Sequence, residues 1–204
     1  MLQDLERTAK NLALFTIVYN LIEGIVSIGF GIAEDSVSLA GFGGDSLIEV
    51  GSAVIVLWRL KGEVSRERTA TLLIGALFVL LAALTIFSAG IQLLEGNRPL
   101  TTLPGIVISS VSLSFMFFLW RAKVKVAYAL DSKTLMQDAQ CSLACIKLSA
   151  VLFVGSLLFW ISPDFYFADA VAAIVLGVLI GIEGISAIRA ARSEKFTGSC
   201  CGGC

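Results

Sequence analysis

The sequence predicts an all-α, polytopic membrane protein built from six transmembrane helices. Of its 204 residues, 57% are hydrophobic and 15% charged, against the roughly one quarter charged residues of an ordinary soluble domain. The mean hydropathy is +0.90. The apolar residues fall in blocks of about 20, the length that crosses ~30 Å of hydrocarbon at ~1.5 Å per residue. Lysine and arginine cluster on alternate connections between those blocks, as they do in multi-pass chains.

Taken in order, the blocks cover residues 12–32, 37–57, 71–94, 103–120, 135–161 and 165–188. The first is too long for a signal peptide and lacks a small-x-small cleavage site, so it is expected to remain in the mature chain. Pro99 and Pro104 bracket the turn before the fourth block, and Pro163 stands in the turn before the sixth, positions that suit loops and first helical turns. No connection is long enough for a second domain. The expected layout is a six-helix transmembrane domain over 1–192 and a short, flexible, cysteine-rich tail over 193–204.

Charge placement orients the chain. Twelve of the fifteen Lys and Arg lie in the N-terminal arm, after spans two and four, or near the C-terminus: Arg7, Lys10, Arg59, Lys61, Arg66, Arg68, Arg121, Lys123, Lys125, Arg189, Arg192 and Lys195. The opposite connections hold Arg98 beside Glu34, Asp35 and Asp164. The positive-inside rule then puts both termini in the cytoplasm. A net charge of −1 gives no case for nucleic acid as a partner. Trp58, Trp120 and Trp160 lie near span ends, where interfacial tryptophans belong.

Sliding span two onto span five by 96 residues aligns Ser36 with Ser132, Leu39 with Leu135, Ser46 with Ser142 and Leu47 with Leu143. The same offset sets Asp45 on Cys141 and Glu49 on Cys145. Three spans per half is an odd number, so the halves would run in opposite directions. A 3+3 inverted repeat of this kind places substrate near the bilayer midplane.

The strongest chemical signal is Asp45 and Glu49, in D-S-L-I-E within span two. Their i, i+4 spacing puts both on one helix face, roughly 12 and 18 Å deep at ~1.5 Å per residue. Two carboxylates at that depth repel each other and cost several kcal/mol to desolvate, so a cation, protons or a basic side chain must compensate. Cys141 and Cys145, in C-S-L-A-C, repeat the spacing in span five. Alone, two cysteines in an apolar helix read as packing. At matching depth, two carboxylates and two thiolates make a tetrahedral O2S2 set that suits zinc, or cadmium by the softer sulfurs, and that suits magnesium and calcium poorly.

Other polar groups sit in the spans: Asn20 and Glu23 in the first, Asp138 one turn before Cys141, Lys147 in the fifth, and Asp169 and Glu183 in the sixth. Each must face protein or a watery cavity. Asn20, Glu23, Asp138 and Asp169 are candidate accessory or proton-relay residues, with structural polar contacts as the equal alternative. Lys147 is expected to pair away from the cation site, with Asp169. The chain has five cysteines and no histidine. Cys141, Cys145, Cys200, Cys201 and Cys204 all fall in the membrane or on the cytoplasmic side, where a structural disulfide framework is not expected. The tail C-C-G-G-C offers Cys200, Cys201 and Cys204 for capture of soft metal. Lipidation, or an origin outside the fold, would serve it equally. It is not a prenylation box, since Gly202 and Gly203 are not aliphatic.

These residues together resemble the cation diffusion facilitator family. Its H/D-x-x-x-D motifs in spans two and five match Asp45 with Glu49 and Cys141 with Cys145. S-V-S-L-A before the first motif and D-A-Q-C at the second, Asp138 included, are similar to the family's surroundings. Asn20 and Asp169 fit its polar positions. The resemblance covers nearly the whole membrane region and implies a homodimeric transporter that exports a divalent metal by proton antiport and alternating access. Cysteine replaces the usual span-five histidine and aspartate, which opens the choice among zinc, cadmium, mercury and copper. The family's cytoplasmic metallochaperone-like domain has no counterpart here, so a dimer is expected to form through membrane helices.

A thiol with a reference pKa of about 8.5 is mostly protonated at neutral pH, so metal must displace protons to bind it. The expected mechanism is alternate binding of metal and protons at Asp45, Glu49, Cys141 and Cys145, with metal as cargo, no prosthetic group, and a bacterial plasma membrane as host. The alternatives are a soft-metal importer and a non-transporting metal sensor. An enzyme is not expected, because no open-site histidine set or nucleophile–base pair is present.

Overall fold

The computed structural model describes residues 2–60, 67–96, 103–131, 133–162 and 167–193. Among them the chain forms six α-helices and no strand: α1 (Leu2–Ala33), α2 (Val37–Leu60), α3 (Glu67–Glu95), α4 (Leu103–Ala129), α5 (Lys133–Ile161) and α6 (Ala168–Arg192). Among the described residues, α1, α3, α4, α5 and α6 contain segments long and apolar enough to cross a membrane by length and composition. The tail cysteines Cys200, Cys201 and Cys204 lie outside the described residues.

Side chains are distributed inside out relative to a soluble protein. Ile25, Ile32, Leu73, Phe87 and Phe118 are exposed, whereas Thr16, Asn20, Ser27, Ser46, Ser109, Ser112, Ser142 and Ser149 are fully buried. An apolar solvent outside explains both halves of that pattern: lipid accepts the hydrocarbon, and polar groups retreat to where other helices can bond them.

The helices associate in three close pairs, α1 with α2, α3 with α6 and α4 with α5, and α2 also touches α3, α5 and α6. Glycine sets the two tightest seams. A methyl group added at Gly31 would lie 2.6 Å from the Ala40 nitrogen, and one at Gly184 would lie 2.9 Å from the Gly75 oxygen. The bare backbones therefore touch, which gives dispersion contact where lipid offers no hydrophobic drive. The α4–α5 pair is joined by hydroxyls, with Ser149 donating to Ser112 at 2.9 Å.

The α1–α2 turn is tight. Asp35 adopts a left-handed φ of 53°, which Asp tolerates better than most side chains, and the Ser36 amide reaches back to the Gly31 carbonyl at 2.9 Å. Ser36 then caps α2, its Oγ accepting from the Leu39 amide at 3.2 Å.

Two helices are longer than their apolar blocks. α1 starts at Leu2, and α4 runs past residue 120 to Ala129. Arg121, Lys123 and Lys125 are therefore on a helix and not in a loop. Lys123 faces inward, 2% exposed, on the same stripe as Met116, Leu119 and Val126.

Candidate metal-cargo site

Asp45 and Glu49 stand one turn apart on α2, 2% and 3% exposed, as their i, i+4 spacing requires. Cys145 of α5 meets both. Its Sγ donates to Glu49 Oε2 at 2.8 Å and approaches Asp45 Oδ2 at 3.5 Å. Asn20 of α1 donates from Nδ2 to the same Glu49 oxygen at 2.8 Å. Three helices thus converge on one carboxylate. The second oxygens, Asp45 Oδ1 and Glu49 Oε1, are buried without a hydrogen-bond partner, as is Asn20 Oδ1. Unpaired acceptors cost roughly 1–3 kcal/mol each when buried, and a cation is the group that would satisfy several at once.

Cys141 is buried one turn before Cys145, and Cys145 is the free cysteine among the described residues. Among the described residues, no three Cys, Asp or Glu side chains are already gathered as a closed metal shell. Asp45, Glu49 and Cys145 are linked instead by the thiol's hydrogen bonds.

Glu23 lies on the same side of α1 as Asn20 and belongs to the surrounding network. It accepts from Tyr19 Oη at 2.8 Å and from Ser46 Oγ, of the residue next to Asp45, at 3.0 Å. Glu183 of α6 is within electrostatic reach of Asp45, Glu49 and Lys147. Lys147 is exposed on α5.

Asp138 is bonded outside this cluster, although it and Lys123 both lie within electrostatic reach of Glu49. It forms a buried ion pair with Lys123 Nζ at 2.8 Å, the two side chains being 3% and 1% exposed, and Lys123 also donates to Ser142 at 3.0 Å. Spacing within α4 gave the signal for this residue, since 116, 119, 123 and 126 share a helix face, but Lys123 was counted with the cytoplasmic charges.

Asp169 is also remote from the cluster and does not pair with Lys147 as expected. It sits at the start of α6, where it accepts from Ser36 Oγ at 2.6 Å, the Val37 amide at 3.0 Å, Ser38 Oγ, and Gln92 Nε2 at 3.3 Å. Four donors fill the roughly four acceptor positions of a carboxylate.

The chain matches the cation efflux transmembrane domain family over residues 13–194.

Proposed function

Because the chain belongs to the cation efflux family, whose members move divalent metal cations across membranes, we propose that Asp45, Glu49 and Cys145 hold the metal in transit. Asn20 orients Glu49, and Cys141 supplies the fourth ligand. One observation carries this reading: a thiol and two carboxylates from α2 and α5 touch inside a bundle whose outer surface is apolar. The mixed S/O set fits zinc, with cadmium the softer competitor.

Proton exchange follows from the same contacts. The Cys145 thiol spends its hydrogen on Glu49. A metal ion taking both Sγ and Oε2 must release that proton, and a proton returning to sulfur must loosen the metal. We take the cytoplasmic side to be that of both termini, by the positive-inside rule, and export by antiport and alternating access as the direction of work. The pairing of α3 with α6 suits two three-helix halves whose third helices meet. A homodimer would form through lipid-facing helices. Glu23 serves as a proton relay beside the site, and the tail cysteines Cys200, Cys201 and Cys204 serve as cytoplasmic capture.

The test is reconstitution in liposomes with a trapped metal dye and a pH dye. Zinc movement with opposite proton flow, lost in Asp45→Ala and Cys145→Ala and kept when the tail cysteines are removed, is the expected result. Well-folded wild-type protein that moves neither zinc nor cadmium would defeat the proposal.

A further inference from the structure

Asp169 ties the α3–α6 pair to the start of α2, beside the apolar contacts that α2 makes with α3 and α6 further along. It starts α6, and Gln92, which donates to it, ends α3. Those two helices form one glycine-sealed pair, in which Gly75 and Gly184 meet backbone to backbone. The other three donors, Ser36 Oγ, the Val37 amide and Ser38 Oγ, belong to the turn and first residues of α2, which is sealed to α1. Gln92 Nε2 also reaches the Asp35 carbonyl at 3.3 Å. All of these contacts lie at the end of the bundle away from the start of α1 and the end of α6. A cavity of about 540 Å³ adjoins them there, lined by Gly31, Asp35, Ser36, Ala40, Ser88 and Gln92. α2 runs from this knot directly to Asp45.

We infer that Asp169 is a positioning residue for transport: it latches the α3–α6 pair to the start of α2, and its release opens the path from the metal site to that end of the bundle. The inference rests on the transport reading above. An acceptor-only carboxylate with four donors holds one arrangement of two glycine-sealed units. Moving the units apart breaks the three bonds from Ser36, Val37 and Ser38 together with the Gln92–Asp35 contact, which gives the two-state character that alternating access needs. The adjoining cavity already offers space between α1, α2 and α3 at the latched end. Asp169 touches neither Asp45 nor Glu49, so its effect on transport acts through helix position.

Hydrogen–deuterium exchange of the protein in lipid nanodiscs tests this, with zinc flux in liposomes measured in parallel. Asp169→Asn turns one acceptor atom into a donor that faces donors. Uptake in peptides over 34–42 and 88–96 is expected to accelerate about tenfold or more, in line with loss of charge-assisted bonds. Uptake at the opposite end, over 54–60 and 133–141, is expected to slow as the equilibrium shifts. Ser38→Ala leaves three donors in place and should show the same reciprocal change at a smaller size, which guards against a misfolded Asp169→Asn. Faster exchange at the latch with no slowing at the far end, in both variants, would reduce Asp169 to a local helix cap and overturn the inference. Acceleration at both ends in both variants would do the same. Reciprocal exchange in a wild-type background that moves no zinc would leave the latch standing and remove the transport reading.

Discussion

Replacing Lys123 by methionine strips the cation from a pair that is almost wholly enclosed. Asp138 would then stay behind with Oδ2 newly orphaned and Oδ1 already without a partner, and Ser142 would lose its donor. Breaking a buried ion pair from one side costs about 3–5 kcal/mol, and the lost hydroxyl bond adds about 1 kcal/mol. At ~1.4 kcal/mol per decade, the folded-to-unfolded ratio should fall by about three to four decades. Replacing both partners by apolar residues, Lys123→Met with Asp138→Leu, removes the orphaned charge and should recover most of that loss. Titration with SDS in mixed micelles, followed by circular dichroism, reads both variants. If Lys123→Met unfolds within about 1 kcal/mol of wild type, the pair is not the enclosed contact described here. A double variant as unstable as the single one would show that side-chain shape, and not charge, holds α4 to α5.

Four further outcomes follow from the geometry. Cys145→Ser should weaken the sulfur-to-cobalt charge-transfer band of the cobalt-loaded protein, because Cys145 is the thiol that meets Glu49, and Cys145→Ser with Cys141→Ser should abolish it; an undiminished band in the single variant would place the sulfur ligand elsewhere. Asn20→Leu should weaken zinc binding by about ten- to a hundredfold in equilibrium dialysis, as loss of a residue that orients a ligand generally does. Gly184→Ala would push a methyl to 2.8 Å from Phe78 Cβ, and overpacking of that kind costs about 1–3 kcal/mol in the same SDS titration. Zinc affinity should fall as pH falls, because protons compete for sulfur and carboxylate oxygen, and an affinity independent of pH would contradict the displaced thiol proton.

The membrane architecture was legible because it depends on block length and composition, which one sequence displays in full. Asp45 and Glu49 were legible for the same reason: two acids one turn apart in an apolar run have few explanations. Cys145 could be set opposite them because the repeat offset gave it their depth. Cys141 shared the offset, but which thiol meets the carboxylates depends on how α5 is turned against α2, and spacing along one helix does not carry that. Lys123 was missed because a lysine near a span end is ordinarily in water, and the extension of α4 to Ala129 was hidden by its polar composition. The pairing of Lys147 with Asp169 failed on geometry. Matching opposite charges ignored the nearer hydroxyls and amide of the α1–α2 turn, which reach Asp169 across more than 130 residues of sequence.

The seam between α3 and α6 has a consequence for how the chain is made. α1 finds α2, and α4 finds α5, as soon as each hairpin leaves the ribosome, but the glycine face of α3 has no sequence neighbour to close on. It must wait through the synthesis of α4 and α5 until Gly177 and Gly184 arrive. A chain arrested before α6 would hold two finished hairpins and an α3 packed on α2 alone, with Gln92, Ser36 and Ser38 lacking the carboxylate that gathers them. Insertion of the last helix would then be the event that turns a set of membrane hairpins into a transporter, and nascent chains shortened by one helix should be the ones that membrane quality control removes.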